Sequence, residues 1–167
     1  LPDLLVSESG LPNFDMLRSL LEMRATLAVD AAKLAAQRSS PEQVAELQSV
    51  VDRMRKRPND VDYLQSEVQQ FWGQLVRAAN NQVYVMAFNS LDVSWQRYGA
   101  HLRHLLSEEL RATSAYQAVV NACQRRLPEQ AAKQASQLVQ LSVNQIEKSA
   151  LQHQQKQANQ NGDLFAF

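Results

Sequence analysis

The chain of 167 residues has little glycine and almost no cysteine: it contains four glycines and a single cysteine, Cys123. So few glycines argue against a Gly-rich loop that cradles phosphates. A single cysteine excludes an intrachain disulfide and agrees with a reducing compartment. Cys123 lies on the apolar face of its predicted helix, and no G-x-S-x-G motif supplies a catalytic serine. We therefore predict that the chain is not an enzyme and has no catalytic residue.

The sequence also lacks an excess of charge and a long apolar run. Its 17 Lys and Arg residues balance 17 Asp and Glu residues, whereas proteins that bind phosphates usually carry a basic excess. The dense basic cluster at 53–57 is typical of a helix C-terminus. No apolar run approaches the roughly 18 residues of a membrane span, and residues 1–10 contain no signal peptide. We predict a cytoplasmic chain without membrane contact that does not bind nucleic acid by itself.

What the sequence does contain is typical of a helical domain, with 45% apolar and 20% charged residues. A chain of this length can bury roughly 70% of the surface that its unfolded form exposes, so it folds without disulfides or metal. Apolar residues recur every three or four positions, as in Leu64, Val68, Phe71 and Leu75, which places them on one helix face. We predict one domain over residues 1–167, an all-α antiparallel bundle of six to seven helices with a central ligand cavity.

Local signals mark several helix ends. Asn13 predicts an N-cap, and the Ser-Ser-Pro-Glu run at 39–42 predicts the start of the second helix. Residues 79–82 separate two amphipathic helices, and Pro128 begins the last long one. Glutamine and asparagine dominate residues 152–161, which predicts a mostly flexible tail over 152–167.

Polar residues on the apolar stripes are the most informative. Arg24 interrupts the stripe of the first helix, and an arginine is costly to bury without a partner. Three alternatives are open for its guanidinium: it extends to solvent at the rim of the buried face, it pairs with Asp or Glu, or it binds an anionic ligand. Tyr116, Trp95 and Ser142 lie on inward-directed faces and would each need a partner if buried. Together these residues predict a pocket for a ligand with an apolar body and an anionic end.

Metal chemistry has little support in the sequence. His101 and His104 share a helix face, but a metal site needs three or four convergent ligands. The nearest acids, Glu108 and Glu109, lie beyond the end of that helix, and we interpret them as charges at the N-terminus of the next one. We predict no metal and no cofactor.

Three segments carry a family resemblance. They are LLEMR at 20–24 continuing through AAKLAA at 31–36 to SPE at 40–42, FWGQL at 71–75 with ANNQVY at 79–84, and YQAVV at 116–120 with PEQAA at 128–132. These segments resemble the C-terminal effector domain of FadR-type regulators in the GntR superfamily. The resemblance implies a ligand-sensing, homodimeric domain of a bacterial transcription regulator. It also implies a winged helix-turn-helix domain before residue 1, with residues 1–12 as the linking segment and operator DNA bound only through that domain.

Most members of the family hold a divalent metal with an aspartate four residues before a histidine and two later histidines. The matching positions here are Val68, Trp72, Tyr116 and Leu138 or Val139. The fatty-acid regulators of the FadR branch lack the metal and bind long-chain acyl-CoA, so the resemblance to this branch implies a fatty acyl-CoA or fatty acid effector. We expect the acyl chain among Phe71, Leu75, Trp95, Leu102, Leu138 and Ile146, with Arg24, Tyr116 and Ser142 at its polar end.

Two other functions remain open. A metal-dependent sensor of small organic acids would have the same fold and would bind zinc or manganese. A structural helical adaptor would bind no small ligand and would have no cavity between its helices.

Overall fold

The computed structural model describes the backbone of residues 13–163 and the side chains of residues 13–93 and 103–160. Seven α-helices and one short 3-10 helix make up this range, which contains no strand. The helices are α1 (Phe14–Arg38), α2 (Pro41–Lys56), α3 (Val61–Ala78), α4 (Gln82–Leu102), α5 (Ser107–Arg111), α6 (Thr113–Gln124) and α7 (Pro128–Asp163), with the 3-10 helix at His104–Leu106. The predicted all-α class with six to seven helices is confirmed.

The helix ends follow local chemistry. Asn13 Oδ1 accepts a hydrogen bond from the Met16 backbone N–H at 3.1 Å and caps α1. Ser40 and Gln43 form a capping box at the start of α2, with bonds of 3.2 and 2.9 Å between backbone N–H groups and side-chain oxygens. Such bonds satisfy N–H groups that have no partner within the helix. Asn80 closes α3 with a φ of 50°, a left-handed conformation that asparagine tolerates better than most residues. The predicted helix starts are confirmed.

Helices α1 and α7 run antiparallel. At one end of the pair of α1 and α7, the rings of Phe14 and His153 lie 5.7 Å apart. At the other end, Lys33 Nζ and Glu129 Oε1 form an ion pair at 2.7 Å. The start of α1 therefore meets the far part of α7, and the end of α1 meets the start of α7.

The core forms where the apolar faces of α1, α2, α3, α6 and α7 meet. The largest apolar side chains that are fully buried include Leu47, Leu64, Phe71, Leu75, Tyr116 and Leu138. On α1 the buried positions are mostly alanines, and Ala31, Ala32, Ala35 and Ala36 are each 0% exposed. Small side chains let neighbouring helices approach closely, and α1 packs against α3, α4, α6 and α7.

The last helix is longer than the sequence indicated. α7 continues to Asp163, so residues 152–163 are helical. Glutamine is a good helix former, and five of the residues at 152–163 are glutamines. Contact of His153 with Phe14 also attaches the helix to α1. Mobility of this segment stays a prediction, and residues 1–12 and 164–167, with the linking segment and the end of the tail, lie outside the described residues.

Candidate functional site

The centre of the candidate site is the carboxylate of Glu109 on α5, whose side chain is 2% exposed. Arg24 donates two hydrogen bonds to it, from Nη1 to Oε2 at 2.8 Å and from Nη2 to Oε1 at 2.5 Å. Trp72 Nε1 and the Tyr116 hydroxyl donate to Oε1 at 3.3 and 3.1 Å. The Ser142 hydroxyl donates to Oε2. Side chains from α1, α3, α6 and α7 thus converge on one carboxylate.

Aromatic rings enclose this cluster on one side. The rings of Phe71 and Tyr116 lie 4.9 Å apart, and those of Trp72 and Tyr116 lie 6.2 Å apart. Both pairs are edge-to-face, the geometry that ring quadrupoles favour. The Arg24 guanidinium lies 5.4 Å from the centroid of the Trp72 ring, within cation–π range. The rings keep water away from the ion pair and strengthen it.

Burial, the ion pair and the hydrogen bonds together set the protonation states in the cluster. Burial alone would raise the pKa of Glu109, but the charge of Arg24 and the hydrogen bonds from Arg24, Ser142 and Tyr116 outweigh burial and lower this pKa. Burial also opposes the charge of Arg24, yet the Glu109 carboxylate raises the pKa of Arg24. Burial and then the negative charge of Glu109 raise the pKa of Tyr116 well above its usual range. At neutral pH the cluster therefore holds an ion pair with Tyr116 as a neutral donor.

Three of the predicted polar residues meet at this point. Arg24, Tyr116 and Ser142 were expected at the polar end of a ligand, and their polar atoms come together on Glu109. Of the possibilities for Arg24 that the sequence left open, the structure shows a pair with a glutamate. Whether these residues bind a ligand stays a prediction.

The sequence located Glu109 in its helix but did not show that it is buried. It does lie in the first turn of α5, but it is buried, whereas its neighbour Glu108 is exposed. The spacing of Leu106, Glu109 and Leu110 is i, i+3, i+4, which places Glu109 on the same inward face as two leucines that are each 1% exposed. That spacing was the available signal for burial. The interpretation of Glu109 as a charge at a helix N-terminus is confirmed, but its burial and its pairing with Arg24 were not predicted.

The predicted apolar residues are part of the core. Phe71, Leu75 and Leu138 are 0% exposed and Ile146 is 3% exposed, and all four belong to one cluster of buried side chains. The side chains of Trp95 and Leu102 lie outside the described residues. Their place in a pocket stays a prediction.

A pocket of about 490 Å³ lies between α2 and α6. Its lining includes Pro41, Val44, Gln48, Val120, Cys123 and Arg126. None of the seven predicted ligand residues whose side chains the structure describes lines this pocket. The central ligand cavity therefore stays a prediction.

The positions that correspond to metal ligands in the wider family do not fit a metal ion. Trp72 and Tyr116 donate hydrogen bonds to Glu109, and a metal ligand must instead offer a lone pair. Val68 and Leu138 are apolar and buried. Within the described residues, no group of three His, Cys, Asp or Glu side chains is placed to hold a metal ion.

Comparison with known proteins identifies the family. The sequence profile of the FCD domain matches residues 19–141. A solved structure of Streptococcus agalactiae GntR is similar with a TM-score of 0.64 and 20% sequence identity, over 83% of this chain and 66% of that chain. At this identity the likeness supports the fold alone, and the chain spans just under two thirds of that relative. Comparison with curated proteins finds no match.

The profile match covers most of the chain, so the chain belongs to the FCD domain family. FCD domains are the C-terminal effector domains of GntR-family transcription regulators, a class of proteins that are not enzymes. Membership in this family confirms the predicted superfamily and the prediction that the chain is not an enzyme. No helix among the described residues combines the length and apolar character that crossing a bilayer requires.

Proposed function

We propose that this FCD domain senses a long-chain fatty acid or fatty acyl-CoA in a cytoplasmic regulator of the FadR branch. The regulator would be a homodimer that binds operator DNA through a winged helix-turn-helix domain outside this chain. Effector binding would change the affinity for the operator, which requires that the effector bind two states of the protein with different affinities.

The observation that carries the proposal is the meeting of Arg24, Tyr116 and Ser142 at one buried point beside an apolar wall. A guanidinium with two hydroxyl donors beside it suits the anionic or strongly polar end of a ligand. The neighbouring rings of Phe71 and Tyr116 lie 4.9 Å apart, and they offer the surface that a hydrocarbon chain would contact. This combination is the one that a fatty acid requires of its binding site.

The apolar residues would set the preference for chain length. Phe71, Leu75, Leu138 and Ile146 belong to one buried cluster. Each methylene removed from water contributes about 0.8 kcal/mol. A pocket opened among these side chains would therefore favour the longest chain that still fits, and Trp95 and Leu102 would extend its wall.

Native mass spectrometry of the gently purified chain tests the proposal. We expect a co-purifying species with an acyl chain of about 14 to 18 carbons. Palmitate or palmitoyl-CoA added to delipidated chain should raise the melting temperature, while hexadecanol, with an equal chain and no anionic end, should raise it less. Melting temperatures that respond to none of these compounds would refute the acyl proposal.

A structural adaptor without ligand is the second candidate, and the close packing of the predicted pocket favours it. Phe71, Leu75 and Leu138 are each 0% exposed, as in a core that is complete without a ligand. This candidate requires that no fatty acid or other effector stabilise the chain. Elemental analysis tests the remaining alternative. Zinc or manganese bound in stoichiometric amounts would indicate a metal-dependent organic-acid sensor.

A further inference from the structure

We infer that Glu109 is the chain's own occupant of an anion site, and that an effector with a free carboxylate binds by displacing Glu109 from Arg24, Tyr116 and Ser142. The inference rests on the proposed function in one respect, that the domain senses an anionic effector. It goes further by assigning a competitor for the site and by selecting the free acid over the thioester.

The geometry makes the two carboxylates mutually exclusive. Both oxygens of Glu109 are engaged: Oε1 accepts from Arg24, Trp72 and Tyr116, and Oε2 accepts from Arg24 and Ser142. These donors come from four helices and converge on a single carboxylate. An effector that uses the same donors must take the place of Glu109, since the donors cannot serve two carboxylates in this geometry.

Charge selects the class of ligand. The Glu109 carboxylate, with a side chain that is 2% exposed, neutralises Arg24, whose side chain is 12% exposed. Exchange of one carboxylate for another keeps that neutralisation. A thioester, alcohol or amide in the same place would remove the negative charge that Arg24 faces inside the protein, which is unfavourable. The site is therefore specific for a carboxylate end.

The short helix that carries Glu109 offers a route for its withdrawal. α5 spans only Ser107–Arg111 and follows the 3-10 helix at 104–106. Its start is attached to α7 by the Gln145 side chain, which donates to the His104 carbonyl at 2.9 Å and accepts from the Glu108 backbone N–H at 3.1 Å. Movement of Glu109 would therefore shift one short segment and change its attachment to α7, the longest helix of the bundle.

Chemical rescue tests the inference directly. Glu109→Ala removes the carboxylate but leaves its donors, so sodium acetate should bind in the space and restore stability. We expect acetate, at about ten times its dissociation constant, to raise the melting temperature of this variant by about 3 to 6 °C relative to equal sodium chloride. Acetamide, which has the same shape without the charge, should have little effect.

Glu67→Ala is the matched control. Glu67 is also buried, with a side chain that is 6% exposed, and it pairs with Arg53 at 2.8 Å. The Arg53 side chain is 35% exposed, so water and chloride can reach it after the change. Acetate should not stabilise Glu67→Ala beyond the effect of chloride, and equal rescue of both variants would overturn the inference.

A second variant keeps the test decisive if Glu109→Ala does not fold. Glu109→Gln preserves the shape and removes the negative charge, so it competes less well for the donors. Its affinity for palmitate should exceed that of the unmodified chain at least about tenfold, because less of the site is self-occupied. Palmitoyl-CoA should not gain in this way. Equal palmitate affinities in the two chains would refute the inference.

The outcomes separate this inference from the proposed function. Palmitate that binds the unmodified chain and Glu109→Gln equally well would support a fatty-acid sensor and overturn displacement of Glu109. Rescue of Glu109→Ala by acetate without palmitate binding to any variant would support the anion site and overturn the fatty acid as effector. Rescue combined with tighter palmitate binding would support both.

Discussion

Arg24 on α1 and Glu109 on α5 form a bidentate ion pair between residues that lie 85 positions apart. The pair lies against the Trp72 ring and receives further hydrogen bonds from Tyr116 and Ser142. It therefore connects the first long helix with the short segment before α6, at the point where the resemblance places the polar end of an effector.

Removal of one partner of the pair should be strongly destabilising. Arg24→Met leaves the Glu109 carboxylate buried without its counter-charge, so we expect the free energy of unfolding to fall by about 3–5 kcal/mol. Urea denaturation measures the loss. Arg18→Met on the same helix is the control, because its side chain is 46% exposed, and it should change stability by less than about 0.5 kcal/mol. The double variant Arg24→Met/Glu109→Leu should lose less than Arg24→Met alone.

Low pH should destabilise the fold because Glu109 becomes protonated. Folding lowers the pKa of Glu109, so the unfolded chain binds the proton more tightly than the folded chain. The resulting stabilisation is complete above the ordinary pKa range of glutamate and is lost as the pH falls through that range toward the lower folded-state value. Glu109→Gln should flatten this acid limb in urea melts measured from pH 7 to pH 3. Gln140→Ala, an exposed change, should leave the limb as it is.

Loss of the capping box should lower the free energy of unfolding by less than loss of the ion pair does. Ser40→Ala removes the oxygen that accepts from the Gln43 backbone N–H at 3.2 Å. We expect a decrease of about 1 kcal/mol in the free energy of unfolding. Ser90→Ala is the control, since this exposed hydroxyl only bonds to the Met86 carbonyl within its own helix. Equal effects of the two substitutions would show that the capping box does not stabilise α2.

A cavity beside the candidate site should affect both stability and ligand response. Leu75→Ala removes a side chain that is 0% exposed, so we expect a loss of about 2–5 kcal/mol. Leu151→Ala, at a side chain that is 60% exposed, should cost far less. If the acyl chain lies against Leu75, palmitate should raise the melting temperature of Leu75→Ala more than that of the unmodified chain. An equal shift would place the acyl chain elsewhere.

Cys123 should be unreactive in the folded chain. Burial raises its pKa to about 12, so at pH 8 only about one thiol in ten thousand is ionised, and the thiolate is the nucleophile. Labelling with a thiol reagent should therefore be slow in buffer. It should be fast in about 8 M urea, a concentration that unfolds most small domains. Rapid labelling under native conditions would show that the neighbouring pocket opens to Cys123.

The helices could be predicted because the signals that set them are local. Asn13 and Ser40 cap helices through atoms three residues away, and the periodicity of Phe71 and Leu75 identifies a buried face without knowledge of what covers it. The same is true of Arg24, whose place on an apolar stripe marked it as a residue that needs a partner. Family membership also followed from short segments that the sequence displays directly.

The partner of Arg24 was decided only by the tertiary structure. Glu109 and Glu108 are adjacent in sequence and equal in chemistry, yet one is buried and the other exposed, because the orientation of a five-residue helix depends on how it packs against α3 and α7. A buried carboxylate is stable only when charges and donors from distant segments meet it at hydrogen-bond distance. By itself the sequence determined the helices and the need for a counter-charge, while packing decided which carboxylate supplies it.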